Sequence, residues 1–434
     1  GGDYTGRGAV WVVFPNDDGT VADQQKISDT AGGFNGEFDG TDRFGSAVTS
    51  VGDFNDDGVP DLAVGAPDAD DSDGAVWILF LNEDGTVSAS QKISNPGGPF
   101  SDSGGFGDSL AQIDDLNGDG VSDLAVGVGG GIWVLFLNKD GTVSKSQKIT
   151  GADFDSGPGS MLNFGVSVAS PGDLTGDDVP DLAVGETQDS DLPGSLWLLE
   201  MNADGTVSHA QEITDGEGGL QSVLNDGDEF GESVTSLGDL DGNGASDLAV
   251  GTPNGDDGNG EFSQRGAVWV LYLRSDSMAV SKERKISETE GEFTGSLSDG
   301  DRFGTSVAPV GDLNGNGVVD FVVGAAGDLD FLVSSAWVLF GDRSLLQGGP
   351  RAPADLTTTA TSDSAVELEW LFTNDEERLQ RYHIYRDTAP ITGIPSDRSP
   401  FDSTETGTNT FTDEPDSDTY YYRVTAVDTS GGES

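Results

Sequence analysis

One nine-residue pattern, met five times, limits what this chain can fold into more than any other feature. Its first copy is Asp53-Phe54-Asn55-Asp56-Asp57-Gly58-Val59-Pro60-Asp61, followed at once by an apolar run over residues 62–67. Asp53, Asn55, Asp57 and Asp61 place oxygen-bearing side chains at positions one, three, five and nine, where they can converge on one point. The carbonyl of Val59 at position seven can complete the shell, and Gly58 permits the tight bend. Hard oxygen ligands in that number suit Ca²⁺ better than Mg²⁺, which keeps most of its waters. An EF-hand needs a bidentate acid at position twelve. Here that position is Val64, inside the apolar run, so the cradle is closed early by Asp61 and flanked by strands rather than helices.

The other copies are Asp115/Asn117/Asp119/Val121/Asp123, Asp173/Thr175/Asp177/Val179/Asp181, Asp239/Asp241/Asn243/Ala245/Asp247 and Asp312/Asn314/Asn316/Val318/Asp320. The third departs from the pattern, with Thr175 at position three and Asp178 where the others have glycine, which makes the bend less comfortable. Solvated turns on an acidic surface would not recur at one spacing, locked to the same flanking strands. The expectation is about five structural Ca²⁺ ions, one per loop.

Between the acid loops runs a second recurring unit. Residues 8–27, 76–93, 132–149 and 196–213 each read as two strands around an Asp-Gly turn, a strong hairpin signal. Residues 268–286 keep the strands with Ser275-Asp276-Ser277 at the turn, and the Trp-bearing strand returns once more at residues 336–340. Each acid loop is preceded by Phe-Gly, at Phe44, Phe106, Phe164, Phe230 and Phe303. A period of about 60–70 residues carrying four short antiparallel strands reads as one propeller blade per repeat, and helical periodicity is nearly absent. The fold class is all-β.

The segments Arg43-Phe44-Gly45-Ser46, 53–61 and 62–67 resemble the FG-GAP repeats of integrin α-chain β-propellers. The resemblance implies a seven-bladed propeller that binds Ca²⁺ in these loops. Six copies of the Trp-bearing strand are visible, with the first blade cut at its start, so an N-terminal strand upstream is expected to complete the ring. Residues 1–343 form the propeller and 344–353 a Gly/Pro linker. Residues 354–434, with alternating strands around Trp370, Tyr382 and 420–428, resemble a fibronectin type III sandwich.

Composition bounds the function. The net charge of −58 disfavours nucleic acid, and five Ca²⁺ ions would cancel only 10 of those charges. An acidic shell running evenly through both halves fits a protein kept soluble in high salt, where self-repulsion is screened. Without Cys there is no disulfide or thiol chemistry, and no apolar run approaches the ~18 residues of a membrane span. The two His, His209 and His383, lie in unrelated strands and make no metal or catalytic pair. Acid pairs such as Asp189/Asp191 and Asp228/Glu229 are expected by chance on so acidic a chain, so glycosidase chemistry is not inferred. Six of the seven Trp recur at one strand position, which points to packing.

These features together describe a non-catalytic, extracellular or cell-surface adhesion or ligand-binding protein adapted to high salt. The alternatives are an accessory region of a carbohydrate-active or phospholipase-like enzyme, and a structural surface-layer component. In a four-stranded antiparallel blade, the acid loop and the Asp-Gly turn fall on one face. A protein or glycan ligand is expected on the other, at the irregular connections 68–74, 185–194, 254–265, 29–43, 215–229 and 288–302.

Overall fold

A computed structural model describes residues 6–16, 21–38, 41–94, 105–154, 163–187, 192–255, 263–275, 277–291, 293–327, 334–341, 354–362, 365–371, 379–387, 400–405, 410–413 and 420–428. The chain divides into two compact units, Gly1–Gly341 and Asp342–Ser434. The expected linker 344–353 lies outside the described residues.

The first unit is a succession of antiparallel sheets. The first contains β1 (Val10–Pro15) and β2 (Val21–Ile27). The second runs in order through β3 (Val48–Gly52), β4 (Asp61–Ala66), β5 (Ala75–Leu81) and β6 (Val87–Ile93). The third repeats this with β7 (Leu110–Ile113), β8 (Asp123–Val128), β9 (Gly131–Leu137) and β10 (Val143–Ile149). The fourth is β11 (Phe164–Gly172), β12 (Asp181–Glu186), β13 (Ser195–Met201) and β14 (Val207–Ile213). The fifth is β15 (Ser233–Gly238), β16 (Asp247–Thr252), β17 (Ala267–Arg274) and β18 (Ser277–Ile286). The sixth holds β19 (Phe303–Gly311), β20 (Asp320–Ala326) and β21 (Ser334–Leu339). Sequential four-stranded meanders of this kind are propeller blades.

The strand sequences follow from this stacking. β8, β12 and β16 are buried at every position, because second strands are covered on both faces by neighbouring sheets. They therefore read as continuous apolar runs rather than alternating ones. Each hydrophobic cluster joins two neighbours: one links Val76, Ile78 and Phe80 of the second sheet to Leu124, Trp133 and Leu135 of the third. The hairpin turns are closed locally, as where Thr86 Oγ1 donates to Asp84 Oδ1 at 2.6 Å.

Phe-Gly marks the seam between sheets. Gly74, Gly194 and Gly266, each just ahead of a third strand, form parallel bridges to Phe106, Phe230 and Phe303 of the following sheet. These phenylalanines are fully buried. The backbones touch here. A Cβ on Gly65 would fall 2.0 Å from the carbonyl oxygen of Gly107, so only glycine allows this approach.

The second unit has two three-stranded sheets. One orders β22 (Ala354–Ser362), β23 (Ala365–Leu371) and β26 (Thr410–Asp413). The other orders β25 (Asp402–Glu405), β24 (Leu379–Asp387) and β27 (Tyr421–Asp428). Leu368, Trp370, Tyr382, Ile384 and Val424 form its core, and Arg386 and the Tyr422 hydroxyl both bond to Asp413.

Candidate metal centre

All five acid loops join the first and second strands of their sheets, from the second sheet to the sixth, and share one internal geometry. The position-one carboxylate closes the loop. Asp53 accepts the N–H of Asp57 on Oδ1 and of Gly58 on Oδ2, at 2.9 and 2.8 Å. Asp115, Asp239 and Asp312 do the same to positions five and six of their own loops. The position-five side chain then accepts the N–H of position seven, from Val59 to Asp57, Val121 to Asp119, Val179 to Asp177, Ala245 to Asn243 and Val318 to Asn316. At position three, Asn55, Asp241 and Asn314 each accept the N–H of position five.

Asn117, at position three of the second loop, makes a contact of its own. The sequence pattern has its side-chain oxygen joining the cradle, and its amide nitrogen faces the buried Asp123 and donates to Oδ2 at 3.5 Å. An amide carries an acceptor as well as a donor, so this contact leaves the Asn117 oxygen available to the cradle. Asn314 makes a similar contact to Asp320 Oδ1 at 3.3 Å, yet keeps its own oxygen on the N–H of Asn316.

The third loop keeps the common geometry despite its departures. Asp173 accepts N–H groups from Thr175, Gly176, Asp177 and Asp178. Burial opposes ionisation there, but the four donors together hold the Asp173 carboxyl below the usual carboxylate range. Asp178 takes the left-handed conformation, φ +67°, that Gly58 holds at +91° in the first loop. The expected strain is real but local, since Asp tolerates this region better than most residues. A departure that the sequence pattern did not single out lies in the first loop, where Asp56 has φ +59° at position four.

Position nine differs from the other acids. Asp61, Asp123, Asp181, Asp247 and Asp320 are fully buried. Asp61 accepts Phe54 N on Oδ2 at 3.0 Å and Leu81 N on Oδ1 at 2.9 Å. The second bond ties the loop to the end of the third strand. It recurs at Leu137, Met201, Leu273 and Gly341, at 3.1, 3.0, 2.9 and 2.7 Å. Burial pushes the Asp123 and Asp247 carboxyls up to about 7 and Asp181 up to about 6, against the pull of their backbone donors. Sequence reading assigned these residues as ligands and missed the tie, whose partner is 20 residues away in the first loop. It also missed position two, where Phe54, Leu116, Leu174 and Leu240 are buried plugs; an apolar residue after each leading Asp was the signal.

The donor set fits a hard divalent cation. In the fourth loop, carboxylate oxygens of Asp239, Asp241 and Asp247 all lie within 4.8 Å of one another, the one such cluster of three acids among the described residues. Like charges this close are costly unless a cation joins them.

The opposite ends of the sheets carry a different chemistry. Arginines lace the irregular connections together: Arg43 to Asp68 at 2.5 Å, Arg302 to Glu229 at 2.8 Å, and Arg265 to Asp299 at 2.9 Å and to Glu288. Phe34, Phe154 and Phe293 from the sheet-to-sheet connections pack on Trp77, Trp197 and Trp337, with ring centroids 5.0–5.2 Å apart. These connections therefore have anchored bases. Above them Leu192 and Val223 are 48% and 76% exposed, on connections joined by Gly227 N to Leu192 O at 2.9 Å. Of the two acid pairs, Glu229 binds Arg302 and Asp228 takes the N–H of Asn225, while Asp189 and Asp191 lie outside the described residues. Residues 39–40, 188–191, 256–262 and 292 of the expected ligand loops also lie outside them.

Cradles of this geometry, on successive four-stranded sheets opened by Phe-Gly, define an FG-GAP β-propeller. Residues 44–79 and 230–271 match the FG-GAP repeat family, and residues 115–184 the FG-GAP-like repeat family. The fold is integrin-α-like. The chain is 32% identical to integrin alpha-3 of Cricetulus griseus over 190 residues, covering 42% of this chain and 17% of that protein. It is 36% identical to integrin alpha-7 of Homo sapiens over 161 residues, 34% of this chain and 12% of that protein. Against integrin alpha-V of Gallus gallus it is 27% identical over 248 residues, 55% of this chain and 22% of that protein. The chain thus spans less than a quarter of the length of these relatives.

Proposed function

We propose that this chain is the ligand-binding propeller of an extracellular, adhesion-type protein, non-catalytic and braced by about five Ca²⁺ ions. The observation that carries the reading is the division of labour between the two ends of the sheets. One end repeats a single acid cradle five times; the other carries connections that differ from sheet to sheet over anchored bases. Repetition suits bracing, and variation suits recognition.

In this reading each Ca²⁺ neutralises the carboxylates of its loop and receives side-chain oxygens at positions one, three, five and nine and the position-seven carbonyl. The chain's own residues hold the loop in register around it. In the second loop the position-three oxygen is that of Asn117. A protein partner binds the opposite face, where exposed Leu192 and Val223 stand among ion-paired connections. The second unit, with its two sheets around Trp370, serves as a fibronectin type III-like module. The net charge of −58 adapts the whole to high salt.

Calcium titration calorimetry, paired with thermal melts at fixed ionic strength, tests the bracing. Extracellular modules bind Ca²⁺ at roughly 10⁻⁴–10⁻³ M. A hundredfold excess over the dissociation constant adds about 2.7 kcal/mol per site. Chelation is expected to lower the melting temperature, and an unchanged melt refutes calcium bracing. Once a partner is found, replacing residues 215–229 with a short turn is expected to abolish its binding while calcium uptake persists.

A further inference from the structure

Position five divides the acid loops into two kinds. In the fourth and fifth it is Asn, and the side-chain amides of Asn243 and Asn316 donate to the carbonyls of Leu273 and Gly341 at 2.7 and 2.6 Å. These are the same residues whose N–H groups donate to Asp247 and Asp320. The end of the third strand is therefore held twice, by a carboxylate and by a neutral amide. In the first three loops position five is Asp57, Asp119 or Asp177, whose side chains have no amide N–H to donate and accept the position-seven N–H instead. The matching residues Leu81, Leu137 and Met201 are held through position nine. Position seven follows the same division. Ala245 and Val318 are 2% and 1% exposed, whereas Val59, Val121 and Val179 are half-buried.

We infer that cation occupancy is coupled to the end of the third strand in the second, third and fourth sheets, and uncoupled from it in the fifth and sixth. Carboxylates repel one another when no cation joins them, at positions one, five and nine in the first three loops and at one, three and nine in the fourth. Position nine is among the repelled groups, and it is also the tie to the third strand. In the last two loops the amide tie carries no charge, so removing the cation leaves it in place. Asn243 and Asn316 are thus positioning residues that separate ion binding from strand anchoring. The inference rests on reading the loops as Ca²⁺ sites.

Hydrogen exchange on the full chain tests it, with calcium and with chelator at one ionic strength, following the amides of Leu81, Leu137, Met201, Leu273 and Gly341. Chelation is expected to speed exchange at the first three by about tenfold or more and to leave the last two within about twofold. Asn243→Asp is expected to move Leu273 into the sensitive group, and Asp57→Asn to remove Leu81 from it. A merely structural role for the amide would not produce this reciprocal exchange of behaviour. Equal acceleration at all five amides overturns the inference and leaves the calcium reading standing. No acceleration anywhere, with calcium uptake still seen by calorimetry, also overturns the inference alone. Absence of both uptake and acceleration overturns both.

Discussion

Ser167 donates its hydroxyl to the carbonyl of Gly231 in the next sheet, at 2.7 Å. Ser109 and Ser233 make the same bond to Gly165 and Gly304, each at 2.8 Å. All three serines stand three residues after the seam phenylalanine, and all are buried. In the second sheet that place belongs to Ala47. Ser167→Ala is expected to cost about 1–2 kcal/mol, because it strips the donor from a buried carbonyl. Ala47→Ser is expected to add about 0.5–1 kcal/mol by supplying the missing donor. Urea midpoints of the two variants check both signs; a stabilised Ser167→Ala protein would refute the seam's contribution.

Asp178→Gly is expected to stabilise the propeller by about 0.5–1 kcal/mol, as a non-glycine side chain leaves the left-handed region. The four amides that converge on Asp173 keep the loop's shape, so calcium uptake should not fall. Equal or reduced stability would show that this φ of +67° carries no penalty.

Glu232 gives a pH signature on the face away from the acid loops. Burial, and then the nearby Glu229 carboxylate, push its carboxyl up to about 7, with Arg302 pulling the other way. A folded value above the unfolded one means that the protonated form is favoured in the folded chain. Its contribution to stability is therefore fully present below about 4.5 and is lost as pH rises through about 7. Glu232→Gln is expected to flatten that decline between pH 5 and 8 at saturating calcium, as read from melts across the range. An identical decline in both proteins would assign the pH dependence elsewhere.

Salt should stabilise the chain even when calcium is saturating. The Debye length falls from about 10 Å at 0.1 M to about 3 Å at 1 M, which screens the repulsion behind a net charge of −58. Melting temperature is expected to rise with KCl over that interval, and a flat response would remove the case for adaptation to high salt.

Much of the fold was legible because it repeats. Asp53, Asn55, Asp57 and Asp61 could each have been an ordinary turn residue; four further copies at the same spacing made them a cradle. Non-local contacts were hidden. Nothing about Asp61 in isolation indicates that it will accept a hydrogen bond from the N–H of Leu81, because only the register of β4 against β5 brings them together. Asn243 and Asp57 looked interchangeable as oxygen ligands. The difference lies in the amide nitrogen, which matters once a carbonyl such as that of Leu273 stands beside it. Asn117 shows the same limit: spacing locates an amide but does not say that its nitrogen will meet Asp123. The recurring Trp were correctly taken for packing at Trp133, Trp197 and Trp269. Trp11 belongs to the same strand position, yet it is 53% exposed on the first sheet.

The apolar clusters of the first unit are shared pairwise, as between the fourth and fifth sheets, where Leu196 and Leu198 meet Trp269 and Leu271. A chain built this way resembles a row of bricks more than an arch. Loosening one course weakens the two joints beside it and leaves distant ones as they were. Such a protein can accumulate changes in one blade without renegotiating the others, so its lineage is free to experiment locally. In the reading proposed above the acid cradle is the mortar of five of these courses, while the connections at the opposite ends differ from course to course and still meet across a joint, as where Arg302 binds Glu229.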